Sequence, residues 1–322
     1  MLRKILIWLG ALIVLAIAGV LTSSLTSLDW DRRHTSATEA LPLVGARGDG
    51  LVRIPARGFE FRARVAGLSG EGAGVIMLHG FPETSMMFEP LMTAAAAAGH
   101  RVVAFDQRGY SPGARPDGVE AYQYPKLVAD VLAIADAVGF DRFHLVGHDW
   151  GCIVGWGVAA QNPDRVISYT AMSLPHPATL IEGMQNDMPT YIQIFNVPGL
   201  PETMLSFNDM AAMRSPELTD ALQEEYLAVF SEPGALTATL NWYRAILQSI
   251  DVMGEAFNAR VEPPVLFLWG TREFFVNDDV RERQRPYVRS LQELELDAGH
   301  SILLDQPEAV IEATLDHIRK AS

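Results

Sequence analysis

A run of five residues, Gly147-His148-Asp149-Trp150-Gly151, constrains this chain more than any other feature. Before it lies an apolar strand-like stretch, Arg142 to Val146, and after it a small-residue helix, Cys152 to Ala160. A sharp strand-to-helix turn needs glycine on both flanks, because backbone crowding there excludes side chains. Such a turn exposes its central residue and aims free helix N–H groups at any negative charge that develops beside it. Here that central residue is an aspartate, where most turns of this shape carry serine. A carboxylate can attack carbon and form an alkyl ester, chemistry to which a serine alkoxide is not suited. The plain structural alternative is a tight βα turn with a capping Asp, since five-residue motifs recur by chance.

Elements on either side fit a large α/β domain. Phe59 to Val65 alternates strictly, as a half-exposed strand does. Short continuous apolar runs, of the kind that buried parallel strands give, follow at 74–78, 101–105, 142–146, 166–172 and 264–269, with a last strand at 291–296. Helical segments fall between them at 86–98, 124–138, 152–161 and 306–319. This alternation predicts a mostly parallel twisted sheet with helices on both faces. From Pro175 to Gly254 no strand-like run appears, and seven of the twelve methionines lie between Met172 and Met253. That stretch reads as a helical cap over the sheet, its adaptable methionines facing a pocket or simply packing.

The N-terminus stands apart from this domain. Arg3 and Lys4 precede seventeen residues without charge or strong polarity, Ile5 to Leu21, and no charge follows until Asp29. The run is long for a signal peptide and just reaches the lower limit of a spanning helix. Small residues at Thr22-Ser23-Ser24 keep signal cleavage open, and either reading puts the catalytic part outside the cytoplasm. The chain thus divides into an anchor or signal segment (1–28), a polar tether (29–50), the core (51–174 and 255–322) and the cap (175–254).

Composition narrows the partners. With 25 Lys and Arg against 39 Asp and Glu, the net charge is −14, and no basic cluster is present to meet phosphates. Nucleic acid is therefore excluded as a partner. No Cys/His cluster offers a metal site, and the single cysteine, Cys152, cannot form an intramolecular disulfide.

An ester at Asp149 would need a base to hydrolyse it. His300, after the last strand in Ala298-Gly299-His300, stands where a loop can bring imidazole over the turn, in the chain order nucleophile, acid, histidine. The orienting acid should follow the strand that ends at Trp269. Glu273 fills that place, with Asp278 and Asp279 as rivals. His79-Gly80-Phe81-Pro82 follows the first core strand, where the backbone N–H of Phe81 could join that of Trp150 in an oxyanion hole. Gly109-Tyr110-Ser111-Pro112-Gly113 matches the serine-hydrolase pattern literally. Pro112, however, has no N–H to donate and no helix follows, so Ser111 is set aside.

Taken together, these residues resemble the α/β-hydrolase-fold epoxide hydrolases, Asp-nucleophile enzymes related to the haloalkane dehalogenases. The resemblance rests on His79-Gly80-Phe81-Pro82-Glu83, Asp106-Gln107-Arg108-Gly109-Tyr110, Gly147 to Gly151, Gly299-His300 and two cap tyrosines, Tyr191 and Tyr243. It runs from about residue 55 to the C-terminus. The family implies that Tyr191 and Tyr243 hold the epoxide oxygen while Asp149 attacks carbon. It further implies that His300, oriented by the acid, activates the water that releases a vicinal diol, with no cofactor. Glu273 departs from the family's usual Asp by one methylene, which leaves Asp278 open as an alternative. The expected substrate is a small hydrophobic epoxide. Two other readings stand beside this one. A haloalkane dehalogenase would use the same triad, but Phe81 occupies the place where it commonly has a halide-binding Asn. A non-catalytic, membrane-tethered binding protein would have lost at least one of these pieces.

Overall fold

The computed structural model describes residues 41–46, 48–180 and 188–321, apart from the side chains at 247 and 249–257. Eight strands form one sheet: β1 (Gly50–Ala56), β2 (Phe59–Ala66), β3 (Gly74–Leu78), β4 (Arg101–Phe105), β5 (Phe143–His148), β6 (Val166–Met172), β7 (Val265–Gly270) and β8 (Leu291–Leu296). Their spatial order is β1-β2-β4-β3-β5-β6-β7-β8. β1 and β2 pair antiparallel, as do β2 and β4, and every other pairing is parallel. This is the mostly parallel sheet that the alternation of elements predicts.

Why the central strands read as unbroken apolar runs is clear from β3. Its residues point alternately to two faces, and both faces are covered. Ile76 and Leu78 join one core with Leu127 and Val131 of α2 (Tyr124–Ala137) and Trp156 of α3 (Trp150–Gln161). Val75 and Met77 join the other with Leu91 of α1 (Glu89–Ala97), Val310 and Ile318. Each such side chain contributes about 1.5–3 kcal/mol by leaving water. With both faces full, functional groups are displaced to the loops beyond the carboxyl ends of the parallel strands.

One strand escapes sequence reading. β1 was expected to be tether up to residue 50 and carries no predicted element. It instead pairs along its whole length with β2, closing through the two-residue turn Arg57-Gly58, with φ of 52° and 79°. Pro55 lies in β1, where an edge position tolerates its missing N–H. Even Leu43, inside the expected tether, bridges to Arg53.

Between β6 and β7 the described residues hold only helices: α4 (Thr190–Phe195), α5 (Leu200–Met210), α6 (Asp220–Ser231) and α7 (Ala235–Phe257), with short turns. Ion pairs tie this insertion to the sheet. Glu225 accepts from Arg62 and Arg64 of β2, and Glu232 pairs with Arg115. The chain then continues through β7, α8 (Asp278–Gln284), β8, α9 (Ile302–Asp305) and α10 (Pro307–Ala321). No helix among the described residues is long and apolar enough to cross a membrane. The expected anchor or signal segment, Ile5 to Leu21, lies outside them.

The glycines of the elbow are enforced by close approach. A Cβ on Gly151 would sit 2.0 Å from the Leu78 carbonyl oxygen, and one on Gly147 would sit 2.5 Å from that of Gly151. Both obstacles are backbone and cannot rotate away. Gly151→Ala is therefore expected to destabilise the fold by about 3 kcal/mol, as overpacking does. A thermal unfolding midpoint unchanged from the parent would contradict this.

Candidate active site

Asp149 joins the end of β5 to the start of α3 with φ 51° and ψ −121°, a conformation non-glycine residues adopt at a cost of roughly 1–3 kcal/mol. The strained turn lifts its carboxylate out of the sheet. Trp150 occupies the first helical position behind it, where backbone N–H groups have no intrahelical partner. From the loop after β3, the Phe81 N–H donates to Asp149 Oδ1 at 2.8 Å. Gly80 permits this approach, since a Cβ there would lie 2.3 Å from Asp149 Cβ and Oδ1.

His300 comes from the loop after β8. Its Nε2 lies 3.3 Å from Asp149 Oδ2, and its Nδ1 is 2.6 Å from Glu273 Oε2. Glu273 is buried on the loop after β7, and its other oxygen accepts the Phe275 N–H at 3.2 Å. Asp278 and Asp279, the rival acids, are exposed and paired with Arg281 and Arg283. The longer glutamate side chain thus reaches the imidazole from where the sequence places it.

These contacts set the charges. Burial alone would raise the Asp149 carboxyl. The hydrogen bond and charge of His300, the charge of His148 and the Phe81 N–H instead bring it below the usual carboxylate value. For His300, burial works against protonation. Hydrogen bonds to Asp149 and Glu273 outweigh it and hold the imidazole well above its ordinary value. The resting site therefore favours an ionised Asp149 beside a protonated His300.

A pocket of about 470 Å³ opens above Asp149, lined by Trp150, Ile153, Leu174, Leu180, Tyr191, Ile192, Tyr243, Ile246 and Phe275. Tyr191 lies on α4 and Tyr243 on α7, their ring centroids 6.3 Å apart. Tyr243 is buried and packs edge-on against Trp150, with ring centroids 4.9 Å apart. Burial first, then the charge of Asp149, raises both phenols, so each keeps its proton at neutral pH. None of the described methionines of the insertion lines this pocket, so of the two roles open to them from the sequence it is packing that these residues take. Met210 and Met213 are core residues and Met204 is exposed. Aromatic and branched side chains form the wall instead.

Two buried residues were quoted in motifs without a role. His148 Nδ1 lies 2.8 Å from Glu83 Oε2, and its Nε2 is 2.9 Å from the His300 carbonyl oxygen. Glu83 also accepts the Gly80 N–H at 3.0 Å. Burial opposes both charges, but their mutual attraction lowers Glu83 and raises His148. This pair ties the loops that carry Phe81 and His300 to the elbow. Only its place inside both motifs could have flagged it.

Residues that sequence reasoning set aside are structural. Ser111 is buried, accepting the Arg62 N–H at 2.7 Å and donating to the Glu60 carbonyl at 3.2 Å. Asp106 pairs with Arg62, and Arg108 with Asp130. Cys152 is buried against the Leu174 carbonyl, and burial pushes its thiol up to about 12. Among the described residues no group of three or more His, Cys, Asp or Glu side chains could hold a metal ion.

Comparison with known proteins agrees with this architecture. The α/β-hydrolase-fold family model matches residues 75–307. Human Epoxide hydrolase 4 is 30% identical over 299 residues, covering 87% of this chain and 80% of that protein. Epoxide hydrolase A of Mycobacterium tuberculosis is 29% identical over 303 residues, 80% of this chain and 94% of that one. Among solved structures, the epoxide hydrolase VrEH1 from Vigna radiata superposes with a TM-score of 0.73 at 24% identity. That match covers 84% of this chain and 98% of the other, and at such identity it speaks for the fold. With the family model spanning most of the chain and the human relative matched along most of its length, the chain belongs to the α/β-hydrolase-fold epoxide hydrolase family and is a hydrolase.

Proposed function

We propose that this enzyme opens a small hydrophobic epoxide to a vicinal diol through an ester on Asp149. The observation that carries the reading is the pair of protonated phenols, Tyr191 and Tyr243, lining the same apolar pocket as the Asp149 carboxylate. Asp149 attacks an epoxide carbon from the face opposite oxygen. The C–O bond breaks, and one tyrosine gives its proton to the departing alkoxide. The resulting tyrosinate, strongly basic in this buried site, regains a proton at the expense of the imidazolium, through solvent. That leaves His300 neutral when the ester needs a base. His300, held by Glu273, takes a proton from water as the oxygen attacks the Asp149 carbonyl. The N–H groups of Phe81 and Trp150 receive the oxyanion, which collapses as His300 returns its proton to the leaving alkoxide and frees the diol; the carboxylic acid left at Asp149 then passes water's second proton to His300, restoring carboxylate and imidazolium.

A haloalkane dehalogenase would share the first ester but needs N–H donors for halide. Here Phe81 offers no side-chain donor, and the Trp150 ring is packed edge-on against Tyr243. A panel of aryl and alkyl epoxides beside haloalkanes, scored for diol and halide, separates the two. Diol from epoxides without halide from haloalkanes is the expected result, and the reverse would replace this reading.

For localisation we propose that Ile5 to Leu21 directs the catalytic domain out of the cytoplasm, as an uncleaved anchor or a cleaved signal. Fractionation of cells with protease shaving tests it. A full-length, protease-protected protein in the soluble cytoplasmic fraction would overturn it.

A further inference from the structure

The insertion carries an apolar face of which the reaction uses only Tyr191. Five of the eight large apolar side chains exposed among the described residues, Tyr191, Val197, Leu200, Met204 and Phe207, lie in α4, α5 and the turn between them. Leu200, Met204 and Phe207 follow the i, i+4, i+7 spacing that gathers side chains on one face of the regular turns of α5, which break at Phe207 with ψ 140°. The turn before them, Val197-Pro198-Gly199-Leu200, is exposed at every residue and carries no charge. Pro201 and Ser206 of the same helix are buried. Tyr191, at the start of α4, is 39% exposed and also forms part of the pocket wall. An exposed apolar patch on an element that lines a pocket marks a docking surface.

We propose that this face rests on a lipid bilayer, so that epoxides dissolved in the bilayer pass into the pocket without crossing water. The chain itself supplies the argument for lipid. It carries the apolar run Ile5–Leu21, which joins the domain through residues 22–41. Leu41 enters at the sheet edge, where its carbonyl accepts from Arg53 of β1. Twenty residues reach at most about 65 Å. A domain of this size has a radius of gyration of about 19 Å. The anchor and the cap face can therefore sit in one membrane. The uncharged patch in a chain of net charge −14 favours zwitterionic lipid over anionic lipid. The docking face stands independently of the reaction, whereas the delivery of substrate rests on the epoxide reading.

The test uses the full chain reconstituted in phosphatidylcholine vesicles, with an environment-sensitive fluorophore on Met204→Cys. The native Cys152 is buried and stays unlabelled. A control carries the same probe on Glu71→Cys, an exposed site in the loop between β2 and β3, at the end of the sheet away from the pocket. The Met204 probe should shift to the blue and lose most of its emission to nitroxide-labelled lipid, while the Glu71 probe keeps its aqueous spectrum. If both probes read water, the proposal fails. It also fails if the Met204 probe is already buried without vesicles in a concentration-dependent way, which would assign the face to a second copy. Leu200→Ser with Phe207→Ser should lower turnover of a long-chain epoxide held in vesicles several-fold and leave that of a water-soluble epoxide unchanged. Equal turnover of the vesicle-held epoxide by parent and variant would overturn delivery from lipid. Absence of turnover on every epoxide would count against the epoxide reading instead, with the fluorescence result unaffected.

Discussion

His300→Ala is expected to convert the enzyme into a reagent that reacts once. Without the imidazole nothing within reach of Asp149 can take a proton from water, and general-base catalysis of this kind contributes about 10²–10⁴-fold. Asp149 should still attack, because the Phe81 N–H and the charge of His148 continue to favour its ionised form. Turnover should fall about a thousandfold while one equivalent of substrate accumulates on the protein, seen by intact mass and mapped to the peptide containing Asp149. A variant that is inactive and carries no adduct with any reactive epoxide would remove the ester from the scheme.

The same logic gives a pH dependence in the parent enzyme. Alkylation needs ionised Asp149, whose pKa lies below the ordinary carboxylate value, so it should persist into acid. Hydrolysis needs neutral His300. In the resting enzyme two carboxylates hold its pKa well up. Esterification neutralises Asp149 and withdraws one of them, so the pKa falls at the step that requires a base. As pH is lowered the residual Glu273 interaction keeps His300 protonated first. The hydrolysis rate should then drop before the alkylation rate, and the ester should build up in the unmodified protein.

How much of this was readable beforehand follows from what each residue depends on. The elbow, the Phe81 turn and His300 are local: a strand, a turn of fixed chemistry and a group at its tip, so the sequence carries them whole. The core strands read clearly because burial on both faces demands unbroken apolar runs. β1 did not, because Pro55 argues against a strand and Arg57-Gly58 lacks the Asn or Asp that usually announces such a hairpin turn. Glu83 with His148 was hidden for another reason. Their contact joins loops 65 positions apart, and a charge pair of that kind has no periodic signature. Choosing Glu273 over Asp278 likewise required a distance, since composition alone supplies three acids in one loop. The methionines of the insertion left pocket lining and packing open, because abundance in a segment says nothing about which side chains reach the cavity.

Replacing the two pocket tyrosines should separate alkylation from hydrolysis in the opposite sense. Each phenol is a donor aimed at charge that appears only as the C–O bond breaks, and loss of one such donor typically costs about 10²–10³-fold. Tyr243 is buried whereas Tyr191 is 39% exposed, and a hydrogen bond acts more strongly where water is scarce. Tyr243→Phe should therefore slow alkylation more than Tyr191→Phe. The double variant should lose about 10⁴-fold. Their rings are close enough to couple, so the combined loss should differ from the product of the single ones. Measuring adduct formation in a His300→Ala background isolates this step. Tyr110→Phe is the control, since its buried hydroxyl finds no hydrogen-bond partner among the described residues and it does not line the pocket. Normal alkylation in Tyr243→Phe/Tyr191→Phe would mean that the epoxide oxygen leaves without help from the insertion. The choice between epoxide and halide would then return to Trp150, the pocket residue whose indole carries an N–H donor.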